Sequence, residues 1–139
     1  MDNLKRWGVH YITKRDMGPR DAVMFDIDDT LIFTSGRSNT PMIELLNEAH
    51  KLGYKIVIIT ARPGIEATIY WTIRQLEQYK ISYDYLGFTS AQTKDMMKRR
   101  LPYHFALSVG DMPTDLTASE HFLNISNFSH NWDNSHTLS

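Results

Sequence analysis

The sequence of 139 residues contains no cysteine, which excludes disulfides, thiolate metal sites and thiol catalysis. No apolar run approaches the length of a transmembrane helix, and the N-terminal "MDNLKRWGVH" lacks the apolar stretch of a signal peptide. The formal net charge is only −1, so no strong overall field indicates nucleic acid or a membrane as the partner. These absences predict a soluble, cytoplasmic protein of one ordinary domain.

Short apolar segments alternate with helical patterns along most of the chain. The predicted strands span residues 22–25, 55–60, 85–88, 105–109 and 122–125. The predicted helices span residues 40–52, 65–79 and 91–100. Thr40 is predicted to cap the first helix, with Pro41 at its first position. This order predicts a single, doubly wound, Rossmann-like α/β domain, in which a parallel sheet of about five strands has its first strand in the middle and helices on both faces.

Composition divides the chain into three parts. Residues 1–21 mix charged side chains with Trp7 and Tyr11, and we interpret them as a lead-in that packs its aromatic rings on the domain. Residues 22–126 hold all the predicted strands and form the domain itself. Residues 127–139 are polar and are predicted to be a flexible tail.

The segment "AVMFDIDDTLIF" places three carboxylates, Asp26, Asp28 and Asp29, directly after a buried strand. Repulsion and loss of hydration both oppose such a cluster, so either water reaches all three or a cation lies there. Thr60 and Asp111 also follow predicted strands. Because the carboxyl ends of parallel strands meet at one edge of a sheet, we expect these loops to converge on one site.

Carboxylate oxygens dominate the expected site. Asp26, Asp28, Asp111 and Asp115 offer hard oxygen ligands, which suit Mg²⁺. None of the six histidines forms a pair with zinc-like spacing near these loops. A bound magnesium ion would also offset the mutual repulsion of the carboxylates.

Four motifs in a fixed order carry a resemblance to a known family. They are "FDIDDTL", "VIITAR", "KDMMKRRL" and "VGDMPTD". Together they resemble the haloacid dehalogenase superfamily of phosphotransferases, whose signature contains D-x-D-x-T, a strand ending in Thr or Ser, a lysine on or near a helix, and G-D-x-x-x-D. The resemblance covers residues 22 to about 116.

The resemblance implies a two-step phosphoryl transfer. Asp26 would attack phosphorus and form an aspartyl-phosphate. Asp28 would protonate the leaving oxygen and then activate water. Thr60 and Lys94 would bind and neutralise the phosphoryl oxygens, although Lys98 competes with Lys94 for this role.

The resemblance also implies a set of metal and substrate contacts. Asp26, Asp111 and Asp115 would hold or orient the magnesium ion, and Asp28 would contact it through its backbone carbonyl. Arg62 is a candidate to bind the substrate. The substrate is expected to be a small phosphate ester, and the oligomeric state stays open.

Two short loops leave no room for the cap domain that many members of the family carry. Residues 32–39 follow the first motif and residues 88–94 precede the third. We therefore expect an open site, guarded only by a small flap at residues 33–38. Open sites accept bulky substrates but exclude water poorly.

Two subfamilies compete as the better match. The whole arrangement resembles the small phosphatases related to class B acid phosphatases, which implies hydrolysis of nucleotides or other small phosphate esters. The run "TPMIELLNEAHKLGYKIVIITAR" also resembles the 3′-phosphatase domain of polynucleotide kinases, which makes nucleic-acid repair the alternative. No kinase P-loop occurs in the chain.

Other classes of function fit the pattern less well. A receiver-type signalling domain needs an aspartate after a middle strand and a later lysine, whereas Lys94 precedes Asp111. An inactive binding homologue has no chemical need for Asp28 beside Asp26. Among the remaining features, Trp71 is predicted to pack in the core rather than to stack on a base. The basic run at residues 98–100 is predicted to be a solvated helix face.

Overall fold

The structure is a computed structural model in which residues 1–131 are described. Most of the predicted tail, residues 132–139, lies outside the described residues. The described part of that tail, residues 127–131, includes a short strand.

The centre of the molecule is a six-stranded sheet with the strand order β3-β2-β1-β4-β5-β6. The strands are β1 (Asp21–Phe25), β2 (Lys55–Thr60), β3 (Tyr85–Phe88), β4 (His104–Gly110), β5 (His121–Asn124) and β6 (Ser129–His130). All neighbouring pairs are parallel except β5 and β6, which are antiparallel. The predicted α/β domain with its first strand in the middle is therefore confirmed. The sixth strand was not predicted, because two residues are too few to show a periodic pattern.

Within residues 1–131, one α-helix precedes the first strand, and four further α-helices and one turn of 3₁₀-helix connect the strands. They are α1 (Asp2–Thr13), α2 (Thr40–Leu52), α3 (Glu66–Gln78), the 3₁₀ turn (Ala91–Thr93), α4 (Lys94–Arg100) and α5 (Pro113–Leu116). The N-cap of α2 is Asn39 rather than the predicted Thr40. The side chain of Asn39 instead donates a hydrogen bond to the carbonyl of Thr30 at 2.8 Å, which ties the start of α2 to the first motif. Gly53 ends α2 in the left-handed conformation with φ 101°.

Both faces of the central strands are covered by apolar side chains. On one face, Val23 and Phe25 of β1 belong to the larger core cluster, which includes buried residues of α1 and α2. On the other face, Met24 lies in a smaller cluster, against which Met97 of α4 packs. This two-sided burial explains why β1 and β2 are unbroken apolar runs rather than alternating ones.

Helix α1 was not predicted as a helix, although its aromatic residues were expected to pack on the domain. Trp7 and Tyr11 are buried in the main core. Gly8 lies where α1 approaches α2, since a Cβ atom there would meet a side-chain carbon of Leu45 at 2.6 Å. A glycine in the middle of the segment weakened the helical pattern, and its reason lies in a contact between helices that are far apart in sequence.

Helix α3 differs from the other long helices in how little of it is buried. Only Thr72 and Leu76 are buried in α3, and Trp71 is 56% exposed. The prediction that Trp71 packs in the core is therefore wrong. Thr72 and Leu76 are four residues apart and define the buried stripe, whereas Trp71 lies about 100° around the helix from Thr72.

No separate cap domain stands over the carboxyl edge of the sheet within the described residues. The loop after β1 forms only short bridges, Asp28 with Ile32 and Ile32 with Ser38. The predicted flap is a tight turn in which Gly36 has φ 90°, and the Tyr79 hydroxyl donates a hydrogen bond to the Gly36 carbonyl. None of the helices in residues 1–131 combines the length and the hydropathy that a membrane span requires.

Candidate active site

Three carboxylates from two neighbouring strand ends meet at the carboxyl edge of the sheet. Asp26 follows β1 and Asp111 follows β4, and these two strands pair in the middle of the sheet. The backbone N–H of Asp26 donates to the carbonyl of Val109 at 3.0 Å, which continues the pairing past the end of β1. One carboxylate oxygen each from Asp26, Asp111 and Asp115 lies within 4.8 Å of the others.

Lys94 is the buried cation at the centre of this cluster. Its Nζ donates to Oδ1 of Asp26 at 2.8 Å and to Oδ1 of Asp115 at 2.7 Å. Lys94 is only 2% exposed, and its position at the first residue of α4 points it towards the strand ends. The hydroxyl of Thr30 lies 3.4 Å from the second oxygen of Asp26.

If all three carboxylates are ionised, the charges in the cluster do not balance without a further cation. Burial, followed by the neighbouring Asp115 carboxylate, raises the pKa of Asp26 to about 8, although Lys94 acts against this shift. Burial alone would lower the pKa of Lys94, but Asp26 and Asp115 outweigh it and raise that pKa. Three ionised carboxylates facing one ammonium leave two negative charges uncompensated. This deficit, together with the oxygen donors, fits a divalent cation such as Mg²⁺.

Asp115 is fully buried, and both of its oxygens already have protein partners. Oδ1 accepts from Lys94, and Oδ2 accepts the backbone N–H of Met112 at 3.0 Å. A Cβ atom on Gly110 would lie 2.3 Å from the Cβ of Asp115, so only glycine leaves room for this side chain. Asp26 and Asp111 both keep some exposure, so they are better placed as direct metal ligands than the fully buried Asp115, which is better placed to orient the site.

The Asp28 carboxylate lies outside this cluster and pairs with Arg62. Arg62 donates from Nε and Nη2 to the two oxygens of Asp28, at 3.0 and 2.8 Å. The Asp28 side chain is 54% exposed, whereas that of Arg62 is 10% exposed. Nη1 of Arg62 also donates to the hydroxyl of Thr72 at 3.1 Å, and its guanidinium carbon lies 5.0 Å from the ring centre of Trp71. Arg62 thus connects the first motif to α3.

Thr60 ends β2 on the other side of β1. It is fully buried, and its hydroxyl oxygen accepts the backbone N–H of Arg62 at 3.1 Å. Because this bond uses the oxygen as acceptor, the hydroxyl proton can still be donated to a bound group.

Sequence reasoning left Lys94 and Lys98 as rivals, and the structure gives them different surroundings. Lys94 contacts the carboxylates, whereas Nζ of Lys98 donates to the Ser108 hydroxyl at 2.7 Å, to the Asp115 carbonyl at 3.0 Å and to the Thr117 carbonyl. Lys98 is 1% exposed, so the prediction of a solvated basic run is wrong for this residue. The spacing of four residues between the two lysines already placed them on one face of a helix.

Comparison with known proteins supports this geometry. Residues 23–103 match the family described as haloacid dehalogenase-like hydrolase. No curated protein matches the sequence.

Solved structures with a similar fold include members of two groups. A chain in the Pnkp1/Rnl/Hen1 complex is 26% identical with a TM-score of 0.58, and the match covers 71% of this chain and 42% of that one. The class C acid phosphatase from Bacillus anthracis is 16% identical with a TM-score of 0.65, and the match covers 84% of this chain and 61% of that one. This second similarity shows a shared fold, and it is to a class C enzyme rather than to the class B enzymes of the sequence resemblance. The chain thus spans less than two thirds of either structure.

The family match extends over more than half of the chain and contains Asp26, Asp28, Thr60 and Lys94. The fold and the clustered aspartates agree with it. The chain therefore belongs to the haloacid dehalogenase-like hydrolases.

Proposed function

We propose that this protein is a magnesium-dependent phosphatase that hydrolyses phosphomonoesters through an aspartyl-phosphate intermediate. The observation that carries the proposal is the contact of the buried Lys94 with Asp26 and Asp115, beside Asp111, at the carboxyl ends of the central strands. This arrangement offers Asp26 as the nucleophile and places the positive charge of Lys94 beside it, where a phosphoryl group would be transferred. A magnesium ion held by Asp26 and Asp111 would supply further neutralisation of the phosphoryl oxygens.

Asp26 is the nucleophile in this proposal. One of its oxygens forms a bond to phosphorus while the bond between phosphorus and the ester oxygen breaks, and the leaving oxygen takes a proton from Asp28. Lys94 lies 2.8 Å from Asp26 and favours its ionised form. Thr60 would donate its free hydroxyl proton to a phosphoryl oxygen, and each such fixed donor is worth roughly 10²–10³ in rate.

Asp28 and Arg62 serve the second step. Ionised Asp28 would remove a proton from water, which attacks the aspartyl-phosphate and releases inorganic phosphate and free Asp26. The two hydrogen bonds from Arg62 hold the ionised Asp28 carboxylate in one orientation, and one of them has to open when Asp28 carries the proton of the first step. Its exposure at the rim of the site gives both water and the leaving group access to it.

The test compares three aspartate substitutions in the first motif. We expect Asp26→Asn to abolish release of p-nitrophenol from p-nitrophenyl phosphate in magnesium, and Asp28→Asn to lower kcat by roughly 10²-fold or more. Asp29→Asn is the matched control, because among residues 1–131 the Asp29 side chain accepts hydrogen bonds only from Thr34 of the flap and asparagine accepts its φ of 60°.

The control should keep turnover near that of the wild type. Thermal melting of all three variants would establish that each one folds. Turnover that persists in folded Asp26→Asn, or turnover unaffected by removal of magnesium, would overturn the proposal.

A second candidate is a polynucleotide 3′-phosphatase that acts in nucleic-acid repair. The similarity to a chain of the Pnkp1/Rnl/Hen1 complex supports it, and another structure in this group is described as an RNA repair complex. The absence of a cap over residues 1–131 leaves space for a polymer. A screen of 3′-phosphorylated oligonucleotides, nucleotides and sugar phosphates in one magnesium buffer would decide, and a marked preference for the oligonucleotides would favour the repair function.

A further inference from the structure

A groove lies on the surface of α3, and one of its lining residues, Trp71, contacts Arg62 of the Asp28–Arg62 pair. It has a volume of about 490 Å³ and is lined by Trp71, Arg74, Gln75, Glu77 and Gln78. This volume is in the range of small-molecule sites. The function proposed above assigns no role to this groove.

Trp71 supplies a flat aromatic surface in this groove. It is 56% exposed, although a tryptophan in water forgoes the large gain of burying its ring. The Arg62 guanidinium carbon lies 5.0 Å from its ring centre, a distance at which the cation and the ring attract each other. The indole is therefore positioned by the same side chain that holds Asp28.

Arg74 supplies a cation beside Trp71. Its Nη1 donates to the Tyr70 hydroxyl at 2.8 Å. The groove thus combines one flat apolar face with a cation along its side.

The position of the groove relates it to the leaving group. Asp28 is the residue proposed to protonate the ester oxygen. Arg62 contacts both Asp28, with Nη2 at 2.8 Å from Oδ1, and Trp71, with its guanidinium carbon 5.0 Å from the ring centre. Atoms of the substrate that extend beyond the ester oxygen would pass along Arg62 towards Trp71.

We propose that this groove binds the nucleobase of a nucleotide substrate, with the base against Trp71. Every base has a π face that can stack on an aromatic side chain, whereas a sugar or glycerol leaving group has none. This inference rests on the proposed function, which places the leaving group beside Asp28, and it identifies that leaving group as a nucleoside.

The kinetic test compares adenosine 5′-monophosphate and adenosine 3′-monophosphate with glycerol phosphate. The ratio of kcat/KM for either nucleotide to that for glycerol phosphate is measured in the wild type and in Trp71→Ala. We expect the ratio for at least one nucleotide to fall tenfold or more, and Trp71→Phe to restore part of it. Phe128→Ala is the control, because Phe128 is an equally exposed aromatic residue, at 60%, on the turn between β5 and β6.

A binding test separates this inference from the proposed function. Asp26→Asn is titrated with both nucleotides by isothermal titration calorimetry, and the titration is repeated in the double variant with Trp71→Ala. We expect saturable binding that weakens tenfold or more in the double variant. Trp71-dependent binding without any hydrolysis would support the groove while refuting the phosphatase.

Hydrolysis that requires Asp26, with equal nucleotide ratios and equal affinities in folded Trp71→Ala, would overturn the groove alone. The exposure of Trp71 favours folding of the alanine variant, which thermal melting would establish.

Discussion

Helix α4 carries two buried lysines, one turn apart, that both contact Asp115. Lys94 has carboxylate partners, whereas Lys98 has neutral ones. Lys94 donates to the carboxylates of Asp26 and Asp115, whereas Lys98 donates to a hydroxyl and two backbone carbonyls. The carboxylates raise the pKa of Lys94 against the effect of burial. Burial lowers the pKa of Lys98 to about 8, although Asp115 and Asp95 oppose it. Burial alone therefore does not distinguish the two lysines, whereas the charge of their partners does.

The same comparison distinguishes a lysine placed to contact the substrate from one that stabilises the structure of the site. Lys94 lies where it can neutralise a phosphoryl group next to Asp26. Lys98 joins Ser108 of β4 to the carbonyls of Asp115 and Thr117, so it fixes the turn that carries Asp115. One lysine would act on the substrate, and the other would hold the scaffold of the site.

The largest expected effect is a difference in turnover between Lys94→Met and Lys98→Met. We expect the first to lower kcat for p-nitrophenyl phosphate by about 10²–10³-fold, since it removes a fixed cation from the phosphoryl site. The second should lower kcat less than tenfold, because Lys98 contacts no carboxylate oxygen. Saturation kinetics in excess magnesium measure both, and circular dichroism establishes that each variant folds. Equal losses in two folded variants would end the distinction between the lysines.

A smaller effect is expected on stability in the presence of metal. Magnesium at 100 times its Kd should raise the free energy of unfolding by ~2.7 kcal/mol, as for any ligand that binds only the folded chain. Urea denaturation with and without magnesium measures this increment. Asp111→Asn should lose most of it, whereas Lys98→Met should keep it. An increment that survives in Asp111→Asn would place the ion elsewhere.

The smallest expected effect is a slope of stability with pH that belongs to Lys98. Its pKa is about 8 in the folded protein against an ordinary value of 10.5. Between these values the unfolded chain binds the extra proton, so the free energy of unfolding should rise with pH, by about 1 kcal/mol per pH unit. Urea denaturation at pH 8, 9 and 10 should show this rise in the wild type and a flatter profile in Lys98→Met.

The choice of pH range keeps Asp26 out of the measurement. The folded protein holds the extra proton on Asp26 only between its ordinary pKa of 3.8 and about 8, so its opposing slope ends where the Lys98 slope begins. Parallel profiles for the wild type and Lys98→Met above pH 8 would show that Lys98 keeps its proton in both states.

The sheet and the meeting of distant aspartates could be predicted because the responsible patterns are local. Each buried strand is a short apolar run, and the rule for strand ends then places Asp26, Thr60 and Asp111 at one edge. The predicted bounds of β2 and β3 are those of the structure. The roles of these residues in catalysis stay predictions.

The surroundings of α3 and α4 could not be predicted, because they depend on which neighbours a helix meets. Trp71 and Lys98 both lie in segments predicted to be helical, yet the tryptophan is exposed and the lysine is buried. Propensity and periodicity report that a helix forms, but they do not report how much of its circumference is covered. The pairing of Arg62 with Asp28 likewise joins residues 34 positions apart.

The central place of β1 has a consequence for how such a molecule changes over time. Asp26 extends a strand paired on both sides, so exchange of its amide hydrogen with solvent should require nearly global opening. Trp71 lies on a helix with two buried residues, where local opening is far cheaper. Under the two proposals, substitutions on α3 would change which molecules are accepted while the Asp26 carboxylate stays in register, so specificity would be the more evolvable property.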